Sequence, residues 1–208
     1  MNRRELLIKT GTGLLALSQI NAIGPASAAT PGAALNADGL LEIDVKRRAG
    51  HDYPIFDLQA RAAVRATLQQ SWEVLTDYDR EADFVPNLIS SRLIARDDRT
   101  CVIEQEGYGQ FLFIKQAIHL LVRAQETPFS NIAVTLVKGN MHEYRANWAL
   151  STLPEPADAA PDSSRTQIIY TATIAPTFYI PSLFGAALMK RDLHNMIAAV
   201  VREIEKPS

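Results

Sequence analysis

Most of this chain alternates between apolar and polar side chains with a period of two residues, and this pattern restricts the fold more than any other feature. The alternation starts near Leu40, resumes after Pro54 and continues to Ala175 with interruptions. A period of two is typical of β-strands that bury one face of a sheet. The sequence therefore predicts six or seven antiparallel strands joined by turns.

Helical spacing replaces the alternation in three places. Residues 68–75 predict one short helix, and residues 77–84 predict a second short helix that Pro86 ends. Apolar residues at three- and four-residue intervals after Pro181 predict a long amphipathic helix, which Pro181 opens. We expect an α+β fold with a curved antiparallel sheet, two short helices and a long C-terminal helix.

Turn residues mark the predicted strand ends. Gly107 and Gly109 predict a turn between a strand at 100–107 and a strand at 111–126. Residues 154–165 contain three prolines and predict an exposed loop. Because a sheet of this size must curl, one helix laid across its concave face leaves space unfilled. The pattern therefore predicts an internal apolar cavity.

The N-terminal segment has the composition of an export signal. Residues 1–29 combine Arg3 and Arg4 with an apolar stretch and a small-residue cleavage site near Ala28. The paired arginines favour the twin-arginine route, and the general secretory route stays open as the alternative. We expect a signal peptide at 1–29, a flexible leader at 30–39, one domain at 40–208, and a periplasmic location.

Charge and composition exclude several classes of function. The formal net charge is −2, and it becomes −4 after cleavage because three of the 21 basic and one of the 23 acidic residues precede position 29. This balance argues against nucleic-acid binding. Cys101 is the only cysteine and lies in an apolar run, so we expect a packed, unreactive thiol. The four histidines lack metal-ligand spacing, and we expect no metal and no cofactor.

Several motifs occur together in an order that resembles a known superfamily. They are WEVLTDYD at 72–79, FVPNL at 84–88, SSR at 90–92, EQEG at 104–107 and WAL at 148–150. With them, the chain resembles the START-like (SRPBCC, helix-grip, Bet v 1-like) proteins, specifically the polyketide cyclase/dehydrase and coenzyme Q-binding branch. The resemblance covers residues 56–205. It implies a cavity for lipids, isoprenoid quinones or polyketides, and no shared catalytic residue.

Candidate ligand-binding residues lie at the predicted pocket mouth, on inward strand faces and at the start of the last helix. Tyr144, Trp148 and Tyr170 combine apolar area with polar groups that could orient a ligand. Arg92 could bind a polar head group or pair with Glu104 or Glu106. The other candidates are Phe84, Val85, Pro86, Phe178, Leu183, Phe184 and Leu188.

Three functions fit these observations. The first is binding or carriage of a hydrophobic small molecule, with transient membrane contact through the apolar segment before the last helix. The second is a cyclase or dehydratase, for which Tyr144, Tyr170 and Arg92 would be the acid–base groups. The third is an envelope interaction module, which a solidly filled interior would favour. No nucleophile elbow or Ser-His-Asp pattern occurs, so the first function is the main expectation.

Overall fold

The computed structural model describes residues 41–50, 52–111, 114–154, 164–181 and 184–207. The predicted signal peptide and leader lie outside these residues, as does most of the predicted 154–165 loop. Within the described part of the chain, no helix is both long enough and apolar enough to cross a membrane.

Eight strands form one antiparallel sheet, one more than the upper limit that the alternation predicts. The strands are β1 (Glu42–Ala49), β2 (Pro54–Val64), β3 (Leu88–Asp97), β4 (Thr100–Phe111), β5 (Ile114–Thr127), β6 (Asn131–Gly139), β7 (Met141–Thr152) and β8 (Thr166–Pro176). Their spatial order is β1-β2-β8-β7-β6-β5-β4-β3. Alternation holds in detail, since β5 buries Leu120 and Val122 and exposes His119 and Arg123.

The turn predicted at Gly107 and Gly109 is wrong, because β4 continues through both glycines to Phe111. Gly107 instead allows the start of β3 to approach closely. A Cβ at this position would lie 2.6 Å from the carbonyl oxygen of Asn87, which accepts a hydrogen bond from the Tyr108 backbone at 3.0 Å. Glycine is required here for proximity and not for a turn.

The two short helices lie between β2 and β3, as predicted. Helix α1 (Leu68–Thr76) begins with a capping box between Thr67 and Gln70. A 3-10 turn (Tyr78–Arg80) and helix α2 (Glu81–Phe84) follow it. Asp79 accepts a 2.7 Å hydrogen bond from the backbone of Leu93, which holds this segment against β3.

The long helix α3 (Gly185–Ile204) crosses the sheet and packs mainly against β1 and β2. Its apolar stripe meets small side chains there, because Leu193 and Ile197 cluster with Ala60, Ala62 and Ala172. The described helix starts four residues after Pro181, later than predicted. Gly185 is its first residue, and a Cβ there would lie 2.5 Å from Ile180.

Candidate functional site

Two adjoining compartments lie between α3, the sheet and the segment that follows α2. The outer compartment has a volume of about 250 Å³ and the inner one about 160 Å³. Six residues line both compartments and so define their common boundary: Val85, Leu88, Gln105, Tyr144, Tyr170 and Met196. The closing helix touches alanines over β2 and β8 but makes few contacts with β4. This uneven contact leaves the space open.

The outer compartment is lined mainly by apolar side chains, including all three methionines of the described residues. Met141 comes from β7, and Met189 and Met196 come from α3. Methionine is flexible and polarizable, and it suits walls that must adapt to guests of different shapes. Gly107 and Gly109 add wall area without side chains that would fill the space.

The inner compartment is bounded by aromatic side chains. Trp148 and Tyr170 lie on neighbouring strands, and their ring centroids are 4.6 Å apart with a tilt of 54°. Tyr144 and Phe84 complete this part of the wall. Burial raises the pKa of Tyr144 to about 12, and it raises that of Tyr170 well above its ordinary value. Both hydroxyls therefore stay protonated at neutral pH.

Seven of the predicted site residues line this space. They are Phe84, Val85, Pro86, Tyr144, Trp148, Tyr170 and Phe178. Leu188 instead packs against a separate cluster formed by Phe56, Ile180 and Met189. Leu183 lies outside the described residues.

Arg92 does not face the cavity, which corrects its assignment as a head-group ligand. Its side chain lies on the outer face of β3 and forms an ion pair with Glu104. Glu106 is also on the outer face, with its carboxylate 3.6 Å from His119. The alternation of β4 places these two carboxylates on the side opposite Cys101 and Ile103, which are buried.

The segment before α3 divides between the cavity and the solvent. Phe178 lines the outer compartment and Ile180 is buried. Tyr179 and Phe184 are 83% and 53% exposed, so neither lines the cavity. The assignment of Phe184 to the ligand wall is therefore not supported by its position. Two exposed aromatic side chains beside the cavity do fit the predicted membrane contact, which stays a prediction.

Glu81 is a cavity residue that the sequence did not reveal as one. It is the first residue of α2 and lines the inner compartment. Its Oε2 atom accepts hydrogen bonds from Gln105 Nε2 at 2.6 Å and from Ser91 Oγ at 3.3 Å. Burial raises the pKa of Glu81 to about 7; the two hydrogen bonds act in the opposite direction and the charge of Asp77 in the same direction.

A sequence signal for this site existed in the strand alternation. Gln105 lies between Glu104 and Glu106, so the period of two places it on the inward face with Ile103. Ser91 is its direct partner across the β3–β4 pair and is only 4% exposed. Two paired polar residues at inward positions need a buried polar partner, and Glu81 is that partner.

The raised pKa of Glu81 predicts a specific dependence of stability on pH. A carboxyl group that binds its proton more tightly when folded stabilises the protein fully below its unfolded pKa, and this contribution is lost as pH rises through about 7. As pH rises from 5 to 8, the loss of this contribution should lower the free energy of unfolding by about 2 kcal/mol. Urea unfolding should show this loss in the wild type and a smaller loss in Glu81→Gln. Equal losses in both proteins would contradict the assignment.

A second buried polar cluster holds the 3-10 turn that precedes Glu81. Glu126 is 7% exposed and accepts hydrogen bonds from the Tyr78 hydroxyl at 2.9 Å and from Arg96 Nη1 at 3.1 and 3.2 Å. The Cys101 thiol donates to the same carboxylate at 3.2 Å. Burial raises the pKa of Cys101 to about 11. Its thiol therefore stays protonated at neutral pH, as expected for a packed cysteine.

Metal ligands do not assemble in the described residues, where no three His, Cys, Asp or Glu side chains come together in a geometry that could hold an ion.

Comparison with known families decides the classification of the chain. The family model described as polyketide cyclase / dehydrase and lipid transport matches residues 64–201, about two thirds of the chain. The chain belongs to this family. The match includes α1, α2, β3–β8 and most of α3, which together supply nearly the whole cavity wall.

Solved structures of several other proteins share the fold at low sequence identity. A STAR-related lipid transfer protein from Xanthomonas axonopodis has a TM-score of 0.61 and 15% identity, covering 83% of this chain and 97% of its own. The Zhui aromatase/cyclase from a Streptomyces species has a TM-score of 0.57 and 16% identity, covering 73% and 94%. Human StAR-related lipid transfer protein 5 has a TM-score of 0.56 and 14% identity, covering 80% and 82%.

These likenesses confirm the predicted helix-grip fold, a curved antiparallel sheet with short helices and a long C-terminal helix. No curated protein sequence matches the chain significantly. The narrower assignment to the coenzyme Q-binding branch stays a prediction.

Proposed function

We propose that this protein binds or carries one apolar small molecule in the two-compartment cavity, with a lipid, an isoprenoid quinone or a polyketide-like compound as the ligand class. The observation that carries the proposal is a pair of adjoining, mainly apolar compartments walled by methionines and aromatic rings. A solidly filled interior would favour an interaction module, and the unfilled space between the sheet and α3 does not favour it. Structural relatives named as lipid transfer proteins add support for the ligand class.

N-phenyl-1-naphthylamine, an uncharged dye that fluoresces in apolar surroundings, tests this proposal. We expect saturable binding with one site per chain and displacement by an isoprenoid quinone, a fatty alcohol or an aromatic polyketide analogue. Native mass spectrometry of protein extracted without detergent should show one apolar molecule per chain. A protein that is empty after purification and takes up neither the dye nor any of these compounds would contradict the proposal.

A second candidate function is cyclase or dehydratase chemistry on a bound polyketide-like substrate. The hydroxyls of Tyr144 and Tyr170 favour it, because both lie in the cavity wall and stay protonated as hydrogen-bond donors. Structural similarity to an aromatase/cyclase is compatible with this chemistry but shows only the fold. Unchanged turnover in Tyr144→Phe and Tyr170→Phe would remove this candidate.

The proposed location is the periplasm. Its support is the signal-like composition of residues 1–29, with Arg3 and Arg4 at the start. Changing both arginines to lysine should block export if the twin-arginine route operates and should leave export intact if the general secretory route does. Retention of the wild-type protein in the cytoplasm would contradict the proposed location.

A further inference from the structure

The carboxyl of Glu81 lies in the wall of the inner compartment, and its hydrogen bonds are distributed unevenly. Gln105 and Ser91 both donate to Oε2, at 2.6 and 3.3 Å. Among the described residues, no side chain or backbone group donates to Oε1. In the described residues, Arg61 Nε is the one side-chain polar atom that is both fully enclosed and without a partner. Oε1 is therefore not fully enclosed but retains some accessible surface, and Glu81 lines the inner compartment.

The surrounding wall offers Oε1 no cation. In the described part of the chain, no lysine, arginine or histidine lines either compartment. The two ionisable carboxyl groups that do line them are Glu81 in the inner compartment and Asp192 in the outer one. Asp192 is paired with its neighbour Arg191 at 3.0 Å. The cavity thus has an acidic, acceptor-rich polar character within an apolar wall.

An acceptor in an apolar enclosure is stabilised when a donor reaches it. The hydroxyls of Tyr144 and Tyr170 are close enough to hydrogen-bond to each other. The donor for Oε1 is then either water or a guest molecule, and a guest hydroxyl can take the place of the water. A guest with a carboxylate would instead bring a second negative charge close to Glu81.

We propose that Glu81 is the recognition group of this cavity and that Oε1 accepts a hydrogen bond from a hydroxyl of the ligand. The ligand class is then an uncharged apolar molecule that carries an alcohol or phenol, and carboxylate-bearing compounds such as free fatty acids are rejected. This inference rests on the proposed function, because it assumes that the cavity takes up a small molecule. The inference adds to the proposed function by naming the chemical group of the ligand that the protein recognises.

Gln105 and Ser91 have a positioning role in this arrangement. They lie opposite each other on β4 and β3 and hold Oε2 from the sheet side. Their hydrogen bonds restrain Oε2 and leave Oε1 as the carboxyl oxygen that is open to a further donor. The groups that titrate or carry charge around Glu81 include Asp77, Tyr78, Tyr144 and Tyr170. All three tyrosines stay protonated at pH 8, because burial raises their pKa. At that pH, the raised pKa of Glu81 still leaves most of its carboxyl ionised.

Three naphthalene derivatives of similar size test the inference. They are 2-naphthol, which donates a hydrogen bond, 2-methylnaphthalene, which has no polar group, and 2-naphthoate, which is anionic. Their affinities are measured at pH 8 by displacement of N-phenyl-1-naphthylamine, which is calibrated separately for each protein. The wild type should bind 2-naphthol about tenfold more tightly than 2-methylnaphthalene, since a hydrogen bond to a charged group is among the stronger ones. It should bind 2-naphthoate most weakly.

Variants separate Glu81 from other carboxylates. Glu81→Leu should remove the preference for 2-naphthol while it keeps or improves binding of 2-methylnaphthalene. Glu106→Leu is the matched control, because Glu106 lies on the outer face, and it should keep the wild-type preference. If Glu81→Leu fails to fold, Glu81→Gln retains the size of the side chain and should still reduce the preference several-fold.

The outcomes are distinguishable. Equal affinities of the wild type for 2-naphthol and 2-methylnaphthalene, or a preference that persists in Glu81→Leu, would overturn the inference and leave the proposed function intact. Binding of none of the three compounds, together with no uptake of the dye, would overturn the proposed function and the inference with it. Tightest binding of 2-naphthoate would also overturn the inference, because it requires a cationic group at the site.

Discussion

The variant Met196→Trp should lose N-phenyl-1-naphthylamine binding by roughly 100-fold, because the larger side chain takes the apolar contact area that a guest would use. Met196 projects from α3 into the boundary between the two compartments and lines both. A tryptophan there fills space that is empty in the wild type. The free energy of unfolding should therefore stay within about 1 kcal/mol of the wild-type value.

Asn195→Trp is the matched control for this prediction. Asn195 precedes Met196 on the same helix and is exposed, so the same side chain is added outside the cavity. Its dye affinity should equal that of the wild type. A solid interior would give a different result, since overpacking a filled core typically destabilises a protein by 1–3 kcal/mol. Strong destabilisation of Met196→Trp, or wild-type dye binding in a folded Met196→Trp protein, would contradict the cavity.

The variant Glu126→Ala should destabilise the fold by about 3 kcal/mol, measured as the free energy of unfolding in urea. Glu126 accepts hydrogen bonds from Tyr78, Arg96 and Cys101 in a buried cluster. Its removal leaves the Tyr78 hydroxyl without its partner, although Arg96 is 41% exposed and regains contact with water. This partial hydration of the remaining charge keeps the expected loss at the low end for a broken buried pair.

A double-mutant cycle identifies the source of this loss. Tyr78→Phe should cost about 1 kcal/mol in the wild type and close to nothing in the Glu126→Ala background, because the hydrogen bond is already absent there. Glu106→Ala removes a carboxylate from the exposed face of β4 and should change stability by less than about 0.5 kcal/mol. Additive effects of Tyr78→Phe and Glu126→Ala would show that the two side chains act independently, against this account.

The architecture of the sheet follows from the sequence because each strand buries one face and exposes the other. The alternation in β5, from His119 to Arg123, remains visible in its burial pattern. The turn that the sequence predicts at Gly107 is wrong for a physical reason. Glycine marks both turns and places of close backbone approach, and only the three-dimensional path of Asn87 distinguishes these two uses. The later start of α3 has a similar cause, since Gly185 packs closely against Ile180.

The candidate site was less accessible to sequence reasoning. Strand alternation predicts that Tyr144, Trp148 and Tyr170 face inward, and all three line the cavity. Of the two roles expected for Arg92, pairing with Glu104 is confirmed and head-group binding is not, because its register on β3 places it on the outer face. The sequence does not identify Glu81 as a cavity residue, because a helix of four residues is too short for its apolar pattern to show which side faces inward. The inward position of Gln105 on β4 instead indicates that a polar group lies in this part of the wall.

The most direct test of the central claim uses the methionines of the cavity wall. Met141, Met189 and Met196 all line the outer compartment, and their methyl groups can be labelled with ¹³C and assigned through single Met→Leu variants. On titration with N-phenyl-1-naphthylamine, all three methyl signals should shift together and saturate at one dye per chain, because an aromatic ring lies among them. Dye binding that leaves these three signals unchanged would place the guest elsewhere and contradict the account.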